Sequence, residues 1–160
     1  MRQPFLNSSF CVLRSAFRFS ALPLFALLFL AADKPESIVK YRQATMKSMG
    51  AHMSAMSLVV KHQISSRADL AAHAEAIHGV SRSLAGLFPA GTGPDKVKSD
   101  AKPAIWQQQP EFKQAAEQLE RDSAKLAELA KKGDAKAFDE QFKVVGETCN
   151  DCHNSFRVHD

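Results

Sequence analysis

The feature that most constrains this chain is Cys149-Asn150-Asp151-Cys152-His153, close to its C-terminal end. Two thiols three residues apart with an imidazole directly behind them form the C-x-x-C-H pattern of a c-type haem attachment site. Each thiol can add across a haem vinyl group to give a thioether, and the imidazole then ligates the iron from one side. The pattern occurs once, so one covalent haem c is expected. Such a chain must fold around a flat apolar group and decide what meets the other face of the iron.

The same residue types have blander uses. A C-x-x-C can be a redox disulfide, but that reading wants a βαβ context, and no stretch here alternates like a strand. A zinc site would need a fourth ligand beside Cys149, Cys152 and His153, drawn from His52, His62, His73, His78 or His159. A trailing His on a helical pattern, behind an export signal, favours haem.

That export signal occupies residues 1–32. It contains Arg2, Arg14 and Arg18 but no Asp or Glu, then an apolar run from Phe19 to Leu30 and the pair Ala31-Ala32. A basic start, an apolar centre of about a dozen residues and small residues at the exit describe a secretory signal peptide. The run is short for a bilayer span, which needs about 20 apolar residues. An uncleaved anchor is the alternative, and Leu30 is large for a residue three places before a cut. With cleavage, residues 33–160 form one periplasmic domain with no membrane segment. The chain has 21 Lys and Arg against 17 Asp and Glu; three of the Arg lie in the leader, leaving 18 against 17. A near-neutral mature chain gives no basis for nucleic-acid binding. Cys11 also leaves with the leader, so both remaining cysteines sit in the motif.

Apolar residues then recur every three or four positions in four stretches, the spacing of a helix face. The first, about 35–62, carries Ile38, Tyr41, Met46, Met49, Met53, Met56 and Val59, with Pro35 and Glu36 suited to its first turn. The second, about 67–87, follows a Ser66-x-x-Asp69 capping pattern. Residues 89–109 form a long loop broken by Gly91, Gly93, Pro94 and Pro103, with a short helical turn at 103–107. A third helix runs about 110–132 to Gly133, a C′ candidate. Asp134 can cap the fourth, whose stripe is Phe138, Phe142, Val145, Cys149, Cys152 and Phe156. The fold class is all-α: an antiparallel up-down-up-down four-helix bundle with a long loop between the second and third helices. On the last helix Cys149, Cys152 and His153 stand at i, i+3 and i+4 and share one face.

Several segments together carry a family resemblance. They are Lys34-Pro35-Glu36, Tyr41-Arg42-Gln43 and Met46 in the first helix; Leu87-Phe88-Pro89, Gly91 and Lys102-Pro103-Ala104-Ile105-Trp106 around the loop; and Gly146-Glu147-Thr148-Cys149 through His153, then Phe156-Arg157. With the haem motif at the end of a four-helix chain, this pattern resembles the class II cytochromes c, cytochrome c prime and its low-spin relatives. The resemblance covers about 33–160. It implies that the residue at Met46 faces the distal side of the haem, either as a sixth iron ligand or as an unbound pocket wall. It further implies that Arg157 lies near the haem and that Arg42 reaches a haem propionate. Members are often homodimers through their first two helices, so a homodimer is an expectation here.

Methionine stripes at this spacing are more often core filling than ligands, so only the resemblance singles out Met46. His52 stands six residues on, about 240° around the helix from it. The sequence reading takes Met46 as the sixth ligand opposite His153. It expects a low-spin electron-transfer protein with an unidentified redox partner, and no enzyme. The alternative is a five-coordinate, high-spin cytochrome c prime that binds nitric oxide or carbon monoxide.

Overall fold

A computed structural model describes residues 33–158. Helix α1 spans Pro35–Val60. Pro35 sits in its first turn, where the missing N–H has no intrahelical partner to lose. The helix stops two residues before the sequence suggests. His62 takes a left-handed φ of 59°, its N–H bonds to the Val59 carbonyl, and the N–H of Gln63 bonds back to the Leu58 carbonyl. This is a Schellman end with His in the place usually held by Gly, so no glycine marked it.

Helix α2 is Leu70–Ser81, shorter at both ends than the periodicity implies. Before it, Arg67 reaches across to Asp139 at 2.6 Å. The Ser66 hydroxyl accepts from Ala68 N and does not cap the helix. After it, the hydroxyls of Ser81 and Ser83 bond back to His78 O and Val80 O, and the chain tightens into a 3-10 turn at Leu84–Leu87. Such back-bonding competes with the helical ladder. The short α3, Ala104–Gln107, lies where the loop was expected to turn helical. Helix α4 is Gln109–Lys132 and ends at Gly133, whose φ of 72° suits glycine. Helix α5 is Ala135–Phe156, and the Asp134 carboxylate caps it by accepting from Ala137 N at 3.0 Å.

Cross-helix pairs give the antiparallel order: His52 with His73, Ser81 with Ser123, Glu75 with Lys131, and Asp122 with Thr148. Helix α4 packs on both α2 and α5, whereas α1 leans mainly on α2. The main core closes over Met56, Ala74, Ile77, Leu126, Phe138 and Val145. Each large side chain so buried contributes about 1.5–3 kcal/mol. A smaller cluster, Ile105, Phe112 and Phe156, gathers Phe88, Trp106 and Cys152 at the loop end. There Phe112 meets Phe88 and Phe156 edge-on, with ring centres at 4.7 and 5.2 Å.

On α1 the buried face runs through Val39, Arg42, Met49 and Met56. Tyr41, expected inside, is 65% exposed, and its neighbour Arg42 is only 3% exposed. The apolar seam steps 39, 42, 46, 49, 53, 56, and a charged residue occupies one of its positions. The expected leader, residues 1–32, lies outside the described residues. No helix among the described residues is long and apolar enough to cross a membrane.

Candidate haem site

The last three turns of α5 carry the attachment motif. Cys149 packs against the main core and Cys152 against the aromatic cluster, so the two sulfurs straddle the junction of the two apolar regions. Neither is in a disulfide, and both are half-buried. Burial pushes the Cys149 thiol up. Burial, with Cys149 beside it, pushes Cys152 up to about 11. Neither is a thiolate near neutral pH, which disfavours a disulfide-exchange role. Among the described residues no three His, Cys, Asp or Glu side chains gather as a metal site. His52, His62, His73 and His78 therefore do not complete a zinc centre with the cysteines.

Helices α1 and α5 meet where a Cβ on Gly146 would lie 4.0 Å from Met53 Cε. Seven residues back along α1 stands Met46; seven residues forward along α5 stands His153. Because the helices are antiparallel, both steps advance about 10.5 Å toward the same end, and two turns return each residue to nearly the same face. Met46 and His153 therefore stand at one level of the bundle. Met46, Met53, Phe142 and Cys149 are all half-buried against the main core.

Arg42, one turn before Met46, is the buried charge at this end. Its guanidinium donates to Thr92 Oγ1 at 3.3 Å, Thr92 O and Ser99 Oγ at 3.4 Å, and Leu87 O at 3.5 Å. It also stacks over Phe88 at 4.5 Å and Trp106 at 5.8 Å. Trp106 Nε1 and Thr92 Oγ1 both donate to Pro89 O. The long loop is thus wound around one arginine, which answers why a compact domain keeps it. Thr92 and Ser99 were not singled out in the sequence; only the burial of Arg42 reveals them. Desolvation lowers the Arg42 pKa from its ordinary value, and no carboxylate pairs with it among the described residues. A buried cation without a counter-ion is costly, so an anionic group suits this place.

Arg157 differs. It is exposed, one turn past His153, with Asp100 Oδ2 at 4.0 Å. Its backbone ties α5 to the loop through an antiparallel bridge with Ala101. The half-covered apolar side chains around Cys149 and Cys152 and the unneutralised Arg42 both fit a haem, apolar in its ring and anionic in its propionates.

A family model described as Cytochrome C' matches residues 37–157. The chain belongs to the cytochrome c prime family. It is 38% identical over 123 residues to cytochrome c' of Pararhodospirillum photometricum, covering 77% of this chain and 98% of the relative. It is 35% identical over 125 residues to that of Alcaligenes xylosoxydans xylosoxydans, covering 78% and 95%. Among solved structures, a nitric oxide complex of a cytochrome c prime variant from Alcaligenes xylosoxidans superposes with a TM-score of 0.73 at 32% identity, covering 81% of this chain and 99% of that one.

Family membership makes the protein a periplasmic haem protein and not an enzyme, and it implies one covalent haem c. It also corrects the sequence reading. Cytochrome c prime is five-coordinate and high-spin, so the expected low-spin electron carrier with iron held between His153 and Met46 is overturned. The physical reason is that methionine on a core seam fills space as readily as it binds metal, and the helix pattern around Met46 does not separate these roles.

Proposed function

We propose that this protein is a binding module for diatomic gases, nitric oxide or carbon monoxide, with one open face at the iron. The observation that carries this reading is the match of residues 37–157 to a family whose solved members include nitric oxide complexes. In this reading Cys149 and Cys152 hold the haem by thioethers and His153 binds the iron. Met46 is the unbound wall opposite it. The apolar Met46 thioether excludes water and offers no hydrogen bond to a polar ligand, which favours small uncharged ones. Arg42 holds a propionate and the loop together, and Arg157 shields the solvent side next to His153. The haem supplies the iron at which the gas is held. Residues 1–32 are the leader that exports the chain.

The test is spectroscopic. The ferrous protein without added ligand should be high-spin and should take up nitric oxide or carbon monoxide stoichiometrically. Met46→Leu should leave the ligand-free spectrum unchanged, and Met46→Ala should speed gas uptake. A low-spin ferrous spectrum that Met46→Leu converts to high-spin would overturn the proposal.

A further inference from the structure

Away from the haem end, α1 and α2 are joined by one polar contact, between His52 and His73. Their Nδ1 atoms lie 2.8 Å apart. The ring centres are 5.1 Å apart and the planes cross at 54°. Both rings are half-buried. Each is flanked on its helix by fixed core side chains, Met49 and Met56 beside His52, and Leu70, Ala74 and Ile77 beside His73. Nothing in the haem chemistry uses this pair. Met46, which the proposed function sets against the haem, lies six residues from His52 and about 120° around the helix from it.

We propose that His52 and His73 form a second metal site, for a divalent first-row ion that favours imidazole, with zinc as its simplest probe. Two imidazole nitrogens on one tetrahedral ion, each bound at about 2.0–2.1 Å, lie about 3.3 Å apart with ring centres about 5.2 Å apart. The ring centres of His52 and His73 already have that spacing. The two nitrogens now lie head-on between the ring centres, so binding turns both rings by roughly 35° off that line and parts the nitrogens by about 0.5 Å. In the neutral pair one Nδ1–H donates and the other Nδ1 accepts. Binding requires the donor ring to move its proton from Nδ1 to Nε2 through water, so both Nδ1 lone pairs face the ion and no proton is gained or lost. No third His, Cys, Asp or Glu is gathered there among the described residues, so water completes the shell. Zinc, copper and nickel suit such nitrogen ligation, and calcium and magnesium do not.

The experiment is equilibrium dialysis of the haem-loaded protein against zinc, with zinc and iron measured together so that iron counts protein. One zinc per iron is expected. His52→Ala and His73→Ala should each weaken binding by about ten-fold or more, and His62→Ala and His78→Ala should not. Zinc should also raise the thermal midpoint of the wild type but not of the first two variants. His73→Gln serves if His73→Ala does not fold. A zinc-to-iron ratio near zero, binding unchanged in both pair variants, or binding lost in His62→Ala would each overturn the site.

Discussion

In the main core, Met56, Ile77, Leu126 and Phe138 are sealed from solvent by side-chain packing. At the end that carries the attachment motif, Met46, Cys149 and Cys152 remain half open, and the buried group is a guanidinium. The first region is complete as polypeptide. The second leaves half-covered apolar side chains and a cation, a pairing that suits a flat apolar anion. Stability at one end is a matter of side-chain volume, and at the other of charge and a cofactor.

The largest effect should come from the closed end. Phe138 is 1% exposed, and its ring also lies under the Arg67 guanidinium at 5.4 Å. Phe138→Ala should cost about 3–5 kcal/mol, read from denaturant unfolding of the haem-loaded protein. The visible spectrum should stay that of the wild type. A changed spectrum would mean that the two ends are coupled and that the contrast drawn between them is too sharp.

At the open end, Arg42→Leu should cost less, about 1–3 kcal/mol. It takes the guanidinium donor from the buried Thr92 carbonyl and the half-buried Leu87 carbonyl, while the Thr92 hydroxyl keeps its bond to Pro89 O. The loss should be visible as faster proteolytic cutting within residues 89–103, because the loop is wound on this side chain. Arg42→Lys should restore little, since an ammonium cannot reach several acceptors and two ring faces at once. If Arg42→Leu instead stabilised the haem-loaded protein, the buried charge would be a net burden and would have no propionate to hold.

These two positions also show what the sequence could disclose. The closed end was readable because its residues repeat at helical spacing and are all apolar; Ile77, Leu126, Phe138 and Val145 needed no further information. The attachment motif was readable because two cysteines and a histidine at this fixed spacing have few other uses. Arg42 as a buried residue was not, because its partners Thr92 and Ser99 lie fifty or more positions away in a loop without periodicity. Nor could Met46 be resolved. Ligand and wall put the same side chain at the same helix position, so residue type and spacing could not tell them apart, and the family comparison overturns the low-spin carrier.

The smallest effect tests the helix ends, where two similar sequence signals gave opposite outcomes. Asp134 precedes α5 and its carboxylate accepts from Ala137 N. Ser66, read as the cap of the second helix, instead bonds within its own turn at 3.4 Å, and α2 starts four residues later at Leu70. Asp134→Ala should therefore cost about 1 kcal/mol, while Ser66→Ala should stay within about 0.5 kcal/mol of the wild type. Both are read as shifts in the thermal midpoint. The α5 cap matters because it starts the helix that, some fifteen residues on, presents Cys149 and His153. Equal losses at the two positions would place a working cap at Ser66 and move the start of α2 back to where the periodicity first put it.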